Sequence, residues 1–145
     1  MNKIEGMGED FKNAKVVYVT TVGERGKLFH RPMTNYNEDP YGNMWFASFR
    51  QTNKVEQVMK NPRVKITFPS SREGEMYEIT GSASIGTDAE VREKWRWWMF
   101  FWHPEYRKYT WFTEGSHLHE RVIINVCPAE ARVVKGKKFD FMVTP

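Results

Sequence analysis

Five residues between positions 48 and 54 carry the side chains best suited to bind an anion. They supply two hydroxyls, an amide and two cations: Ser48, Arg50, Thr52, Asn53 and Lys54. A helix is predicted to begin after Thr52 as its N-cap, with apolar positions at Val55, Val58 and Met59. Because free backbone N–H groups at a helix start favour an anion, the segment predicts a phosphate site. The alternative is an ordinary strand–turn–helix with a solvated basic turn.

Three strands are predicted to position this turn. The strand before it, residues 44–49, is a short apolar and aromatic run. Residues 15–22 and 27–36 form two earlier strands, joined by a glycine-containing hairpin turn. Pro32 cannot donate to a ladder, so the second strand should lie at a sheet edge, be bulged, or end nearby. A short helix over residues 4–13 is expected to pack on the outside.

The second half of the chain predicts more strands and a second helix. Residues 63–68 and 76–85 alternate in hydrophobicity, as strands with one buried face do. Small residues at Gly81 and Ala83 indicate tight curvature or a close neighbour. Another strand covers residues 121–126. Cys127-Pro128 should interrupt it, and residues 131–134 could extend the sheet. Five or six antiparallel strands joined by hairpins usually close into a small barrel.

A helix with many aromatic residues follows the fifth strand. Thr87 and Glu90 form a capping box at its start, and it runs to about Trp102. Its aromatic stripe is too wide for one buried face, and such patches usually mark an interface, so we expect a homodimer. Two alternatives remain, a helix buried in the hydrophobic core of its own chain and a helix lying on a membrane surface.

Composition narrows the class of protein. A length of 145 residues predicts one domain, residues 1–145. The excess of 22 Lys and Arg over 18 Asp and Glu permits an anionic ligand without requiring nucleic acid. A single cysteine, Cys127, excludes an internal disulfide and fits a reducing compartment. No signal core or membrane-length apolar run is present, which predicts a soluble cytoplasmic protein without membrane contact.

Other chemistries find little support in the sequence. His117 and His119 would share a strand face, but the three or four ligands that zinc needs cannot be assembled, so no metal is expected. Nucleophile-elbow, Walker and Rossmann motifs are absent. A small barrel that binds single-stranded nucleic acid is a further alternative. Its aromatic residues should alternate with cations on strands, whereas here they cluster in one helix.

The ordered motifs resemble the flavin-binding split barrels related to pyridoxamine 5'-phosphate oxidase, especially the small bacterial general-stress-protein branch. The resemblance covers residues 11–134 and rests on six segments: Arg-Pro-Met at 31–33, Trp-Phe-Ala-Ser at 45–48, Thr-Asn-Lys at 52–54, Asn-Pro-Arg-Val at 61–64, Ile-Thr-Gly-Ser-Ala at 79–83, and Trp-Phe-Thr-Glu-Gly at 111–115. It implies a mainly β fold, a six-stranded antiparallel split barrel with peripheral helices. It also implies a homodimer with one FMN in each of two clefts between subunits.

The resemblance implies roles for eight residues in cofactor binding. Arg31 would reach the phosphate and the ring edge, and Thr52 and Lys54 would form the phosphate pair. Asn53 stands where the oxidase has a second basic residue, and Arg50 would compensate. The other positions are Met33 and Thr34 beside the isoalloxazine ring, the hydroxyl of Ser48 at the end of the third strand, and Trp111 contributed by the partner subunit.

The resemblance implies an FMN-dependent oxidoreductase acting on a small-molecule redox substrate, with no catalytic side chain because the flavin carries the chemistry. The chain lacks the Trp-Gly-rich, arginine-bearing C-terminal segment of true pyridoxamine phosphate oxidases, so oxidation of vitamin B6 is not expected. Related barrels bind a deazaflavin or haem. A non-catalytic flavin- or haem-binding stress protein of the same fold is therefore the alternative.

Overall fold

The computed structural model describes residues 1–49, 52–94 and 121–135. Two helices and six strands have defined bounds: α1 (Met7–Asn13), β1 (Val16–Val22), β2 (Leu28–Thr34), β3 (Met44–Phe49), α2 (Asn53–Lys60), β4 (Arg63–Pro69), β5 (Glu75–Ile85) and β6 (Arg121–Lys135). A 3-10 turn, Glu24–Gly26, joins β1 to β2, and residues 88–94 are helical. None of the helices in these three ranges is long and apolar enough to span a bilayer.

All six strands belong to one antiparallel sheet in the order β2-β1-β4-β5-β6-β3. Every strand sends side chains into one buried cluster, including Val17, Met33, Phe46, Ile66, Ile79 and Ile124. A flat sheet of six strands could not bring its two ends into one core, so the sheet is curled. The prediction of a mainly β, six-stranded antiparallel split barrel is confirmed. Its split lies between the edge strands β2 and β3.

The helices close the barrel and partly contradict the sequence prediction. Met7 and Phe11 of α1 are fully buried in the core, whereas the other residues of this helix are half-buried or exposed, so the helix lies at the surface as predicted, with one face in the core. Met7 and Phe11 lie on one face of this two-turn helix, four residues apart, so both side chains can pack into the core. In α2, Val55 and Val58 are buried as expected, whereas Met59 is 72% exposed and does not belong to the buried face.

Strand β6 is much longer than its sequence predicts. It continues through Cys127 and Pro128, where the sequence predicts an interruption. Pro128 lies opposite Gly81, where the β5–β6 register shifts at a bulge, so its missing N–H falls where the ladder is already irregular. The predicted close neighbour of Gly81 is confirmed, because a Cβ there would lie only 2.5 Å from the backbone oxygen of Cys127.

Two local predictions are confirmed by hydrogen bonds and pairing. The backbone N–H of Glu90 donates to Thr87 Oγ1 at 3.2 Å, and that of Thr87 donates to Glu90 Oε1 at 3.3 Å, which completes the capping box. Pro32 lies in β2, an edge strand of the sheet. The aromatic residues from Trp95 onward lie outside the described residues, as do His117 and His119.

Candidate functional site

Arg31 lies on the inner face of the edge strand β2, opposite Val19 of β1. Its Nη1 donates to Thr21 Oγ1 at 2.9 Å and to Gln57 Oε1 of α2 at 3.1 Å. Nε and Nη2 of Arg31 form no hydrogen bond with the described residues. A guanidinium has five N–H donors, so this arrangement fixes the group while most of its donors stay available to a ligand.

Lys54 lies in the first turn of α2 and is half-buried. Burial lowers the pKa of its amine from the ordinary 10.5, and the positive charge of Arg31 lowers it further. Burial also lowers the pKa of Arg31. Both shifts mean that burial disfavours the charged forms, and at Lys54 the positive charge of Arg31 adds to this effect.

Neither cation has a carboxylate partner within the described ranges, in contrast to the cations around Glu78. On the outer face, Glu78 is nearly buried but binds Lys65 at 2.9 Å and Arg132 at 3.1 Å. That cluster supplies its own counter-charge. Arg31 and Lys54 do not, and partly buried charges normally need one. The pair is therefore suited to bind an anion.

The start of α2 adds backbone donors beside these cations. Thr52 has the extended backbone of an N-cap, as predicted, and its carbonyl accepts from Glu56 N at 3.3 Å. Its side chain, however, makes no capping hydrogen bond with the helix. Asn53 opens the helix, and its side chain is outside what the structure describes. The uncapped first turn can therefore donate N–H groups to an anion held by Lys54.

Ser48 lies near the end of β3 and is only 4% exposed. Its Oγ is a buried polar atom with no hydrogen-bond partner among the described residues. Its backbone pairs with Val122 of β6, so the side chain faces the barrel interior with those of Phe46 and Val122. A buried hydroxyl without a partner is costly, so Ser48 is a candidate for a hydrogen bond to a ligand.

We expect Ser48→Ala to leave the stability of the ligand-free protein unchanged or raise it by about 1 kcal/mol, because an unsatisfied buried hydroxyl is removed. The same change should weaken ligand binding, since a hydrogen bond to the ligand is lost. Chemical denaturation and ligand titration measure the two effects. A clear loss of stability in the ligand-free protein would show that the hydroxyl is already satisfied without ligand.

The remaining predicted site residues are placed less directly. The side chain of Met33 is buried in the core, so only its backbone on the β2 edge can face a ligand. Thr34 is the last residue of β2 and points to the face opposite Arg31 and Met33. Trp111 and Arg50 lie outside the described residues.

The two edge strands that flank the split carry most of these positions. Arg31, Met33 and Thr34 belong to β2, and Ser48 belongs to β3. Among the described residues, each of these edge strands has one row of backbone N–H and C=O groups that no neighbouring strand pairs. Such groups can hydrogen-bond the polar edge of a flat heterocycle. The split thus combines backbone donors and acceptors with a cationic corner.

Two residues that hold Arg31 were missed from the sequence, namely Thr21 and Gln57. Gln57 follows Lys54 by three positions, a spacing that places both on neighbouring parts of one helix surface. Thr21 is a polar residue in a β-branched run, and it is diagonal to Arg31 across the β1–β2 ladder. Each signal is visible in the sequence only once the register and helix bounds are known.

Comparison with known proteins identifies the family. The family model described as "Pyridoxamine 5'-phosphate oxidase like" matches residues 2–144. The chain belongs to this family. No curated protein gives a significant sequence match.

Several solved structures share the fold of this family member. General Stress Protein 26 from Bacillus anthracis is 21% identical, with a TM-score of 0.64, covering 90% of this chain and 92% of that one. A FAD-binding protein from Mesorhizobium loti is 15% identical, with a TM-score of 0.65 and coverages of 94% and 96%. A protein named F420 reductase is 18% identical, with a TM-score of 0.64 and coverages of 90% and 98%. At these identities the similarity establishes the fold.

The site fits the phosphate of a flavin. A phosphomonoester carries nearly two negative charges and several acceptor oxygens, which match two cations, the N–H groups of α2 and nearby hydroxyls. In a flavoprotein, the bound flavin supplies the redox chemistry. The residues of this oxidase-like chain would hold the phosphate at Arg31 and Lys54 and satisfy the Ser48 hydroxyl. They also keep water from the barrel interior through the buried core.

Proposed function

We propose that this protein binds FMN at the split of its barrel and acts as an oxidoreductase on a small-molecule substrate. One observation carries the proposal: Arg31 and Lys54 are partly buried, near enough for the charge of Arg31 to lower the pKa of Lys54, and without a carboxylate partner in the described part of the chain. The unpaired hydroxyl of Ser48 and membership of the pyridoxamine 5'-phosphate oxidase-like family support it.

The test is to identify the chromophore that purifies with the protein. We expect a yellow protein whose released chromophore has the mass of FMN. If the protein purifies without ligand, titration with FMN should give binding at about micromolar concentration or tighter, which is ordinary for a cofactor held by charged hydrogen bonds. A colourless protein that does not bind FMN at that level would refute the proposal.

The pH dependence of FMN binding follows from the groups at the site. Affinity should rise as the phosphate loses its second proton near pH 6, a value of about 6 being typical of phosphomonoesters. It should fall on the alkaline side as the Lys54 ammonium loses its proton, and the fall should begin below the ordinary lysine pKa of 10.5 because the pKa of Lys54 is lowered. Affinity measured across pH checks both limbs.

Lys54→Arg is the matched control for the alkaline limb, because a guanidinium stays charged throughout this range. The variant should keep the acid limb and lose the Lys54 contribution to the alkaline fall. An identical alkaline limb in both proteins would mean that another group, such as the flavin ring, causes it.

A longer flavin is the second candidate, favoured by a groove beside the site. The groove has a volume of about 720 Å³ and lies between the β1–β2 turn and α2. Its lining includes Phe29 and Gln57, which both contact Arg31. It also holds three cations and two carboxylates, namely Arg25, Lys27, Lys60, Glu24 and Glu56. FAD extends beyond its phosphate, as does a deazaflavin with an acidic tail. The mass of the released chromophore separates both from FMN.

Turnover separates an enzyme from a binding protein of the same fold. A flavin oxidoreductase should oxidise a reduced nicotinamide or another donor in the presence of an acceptor, and reduction of the bound flavin can be followed by absorbance. A protein that binds flavin or haem for storage, sensing or stress protection would bind without turnover. The names of the FAD-binding and F420 reductase neighbours favour the redox alternative.

We also propose that the protein is a cytoplasmic homodimer. The aromatic pattern between residues 95 and 102 supports an interface, and Val16 and Leu28 are exposed apolar residues at 47% and 49%. Light scattering should give twice the chain mass of 17.2 kDa, and a monomer at all concentrations would refute the dimer. An exposed, unpaired Cys127 fits a reducing compartment.

A further inference from the structure

We propose that Thr21 and Gln57 are positioning residues that fix the guanidinium of Arg31 before the phosphate arrives. The proposal rests on the proposed function, because it assumes that Arg31 binds the phosphate. It adds two residues that act through Arg31. It also assigns to β1 and to the middle of α2 a part in ligand binding.

The three side chains form a closed set of hydrogen bonds. Thr21 Oγ1 accepts from Arg31 Nη1 at 2.9 Å and donates to Gln57 Oε1 at 2.6 Å, and Gln57 Oε1 also accepts from Nη1 at 3.1 Å. Because the two acceptors are only 2.6 Å apart, they share one hydrogen of Nη1 in a three-centre bond, and the hydroxyl uses its hydrogen and a lone pair. This pattern leaves the rest of the Arg31 fork, Nε and Nη2, to face a ligand.

Burial shows that Thr21 can act only through its neighbours. Thr21 is 1% exposed, so a phosphate cannot reach its hydroxyl without displacing Arg31 or Gln57. Its partners are the guanidinium and the amide, and the amide in turn belongs to α2, which begins beside Lys54. Thr21 therefore connects β1 to β2, which carries Arg31, and to α2, which carries Lys54.

A second contact supports the same orientation of Arg31. The guanidinium carbon lies 5.3 Å from the centroid of the Phe29 ring, within the range of cation–π attraction. Phe29 packs against Gly23, where a Cβ would lie 2.4 Å from the ring and 3.3 Å from Gln57 Nε2. The absence of a side chain at Gly23 thus leaves room for both groups that touch Arg31.

Fixing an arginine before binding improves affinity because a free side chain loses rotamer entropy when it is held by a ligand. With Thr21 and Gln57 in place, that ordering is completed during folding. Removing the hydroxyl should take away one of the two acceptors that hold Nη1 and lower phosphate affinity without removing any group that touches phosphate. The expected loss is about tenfold, the effect of one hydrogen bond to a charged group.

The test is a double-mutant cycle on FMN affinity with Thr21→Val, Arg31→Ala and the pair together. Thr21→Val keeps the shape of the buried side chain and removes the hydroxyl, and Thr21→Ser restores it. We expect Thr21→Val to weaken FMN binding about tenfold in the chain with Arg31 and not at all in Arg31→Ala. Thr21→Ser should bind within about twofold of the natural chain. Gln57→Ala should behave like Thr21→Val.

The outcomes separate this inference from the proposed function. An equal loss from Thr21→Val in both backgrounds would show a general structural effect and overturn the positioning role alone. No loss from Thr21→Val in the chain with Arg31 would also overturn it. If Arg31→Ala itself binds FMN normally, Arg31 does not hold the phosphate and the positioning role is overturned, whereas a natural chain that binds no FMN overturns the proposed function. Thermal unfolding of each variant confirms that the affinities are those of folded protein.

Discussion

Replacing both Arg31 and Lys54 with alanine is expected to weaken FMN binding by at least about 100-fold. Each side chain would give up a charged hydrogen bond worth about 1.5–3 kcal/mol, and each 1.4 kcal/mol is about tenfold in affinity. The ligand-free protein should not lose stability through electrostatics, because the two cations repel each other and both are partly desolvated. Titration of FMN into the double variant measures the effect.

Lys60→Ala is the matched control for this double variant. Lys60 belongs to the same helix and carries the same charge, but it is exposed and pairs with Glu56 at 3.1 Å. Its removal should change FMN affinity by less than about threefold, because an exposed ion pair contributes at most about 1 kcal/mol. Equal losses from the control and the double variant would mean that net charge, rather than a specific site, attracts the ligand.

Gly81→Ala is expected to destabilise the fold by about 1–3 kcal/mol, the usual range for forcing an atom into a filled space. The added Cβ would lie 2.5 Å from the carbonyl oxygen of Cys127 and 3.1 Å from the Cα of Pro128. Both are backbone atoms of β6, so they can move only by shifting the strand. Chemical denaturation followed by tryptophan fluorescence measures the change.

Ser82→Ala provides the comparison, since Ser82 is the next residue of β5 and is exposed. It should change stability by less than about 0.5 kcal/mol, as most surface substitutions do. If Gly81→Ala were as mild as Ser82→Ala, the close approach of β5 and β6 at the bulge would be wrong. The curvature that brings the edges β2 and β3 to the split would then need another origin.

Most of the fold can be predicted from patterns that are local in the chain. The run at residues 44–49, the alternation at 76–85 and the capping box at Thr87 all reappear in the structure. Two features that the sequence did not predict depend on distant contacts. The helix α1 inserts Met7 and Phe11 into a core that the other segments build. Strand β6 passes through Pro128 because Gly81 of β5 forms a bulge opposite it.

The candidate site likewise contains residues that can be predicted from the sequence and residues that cannot. The cations Arg31 and Lys54 could be predicted because their residue types and their places at a strand and a helix start suggest anion binding. Thr21 and Gln57 could not, since their part depends on the β1–β2 register and on how α2 packs over the barrel. The sequence predicts that the Ser48 hydroxyl binds the cofactor. Only the structure shows that this hydroxyl is buried and has no partner among the described residues.

Calorimetric titration of the natural chain with FMN and with riboflavin tests the central claim most directly, because the two ligands differ only by the phosphate. If Arg31 and Lys54 hold that phosphate, FMN should bind at least about 100-fold more tightly than riboflavin, the sum expected of two charged hydrogen bonds. Equal affinities for the two ligands would contradict the account, since the cationic pair would then contribute nothing to binding.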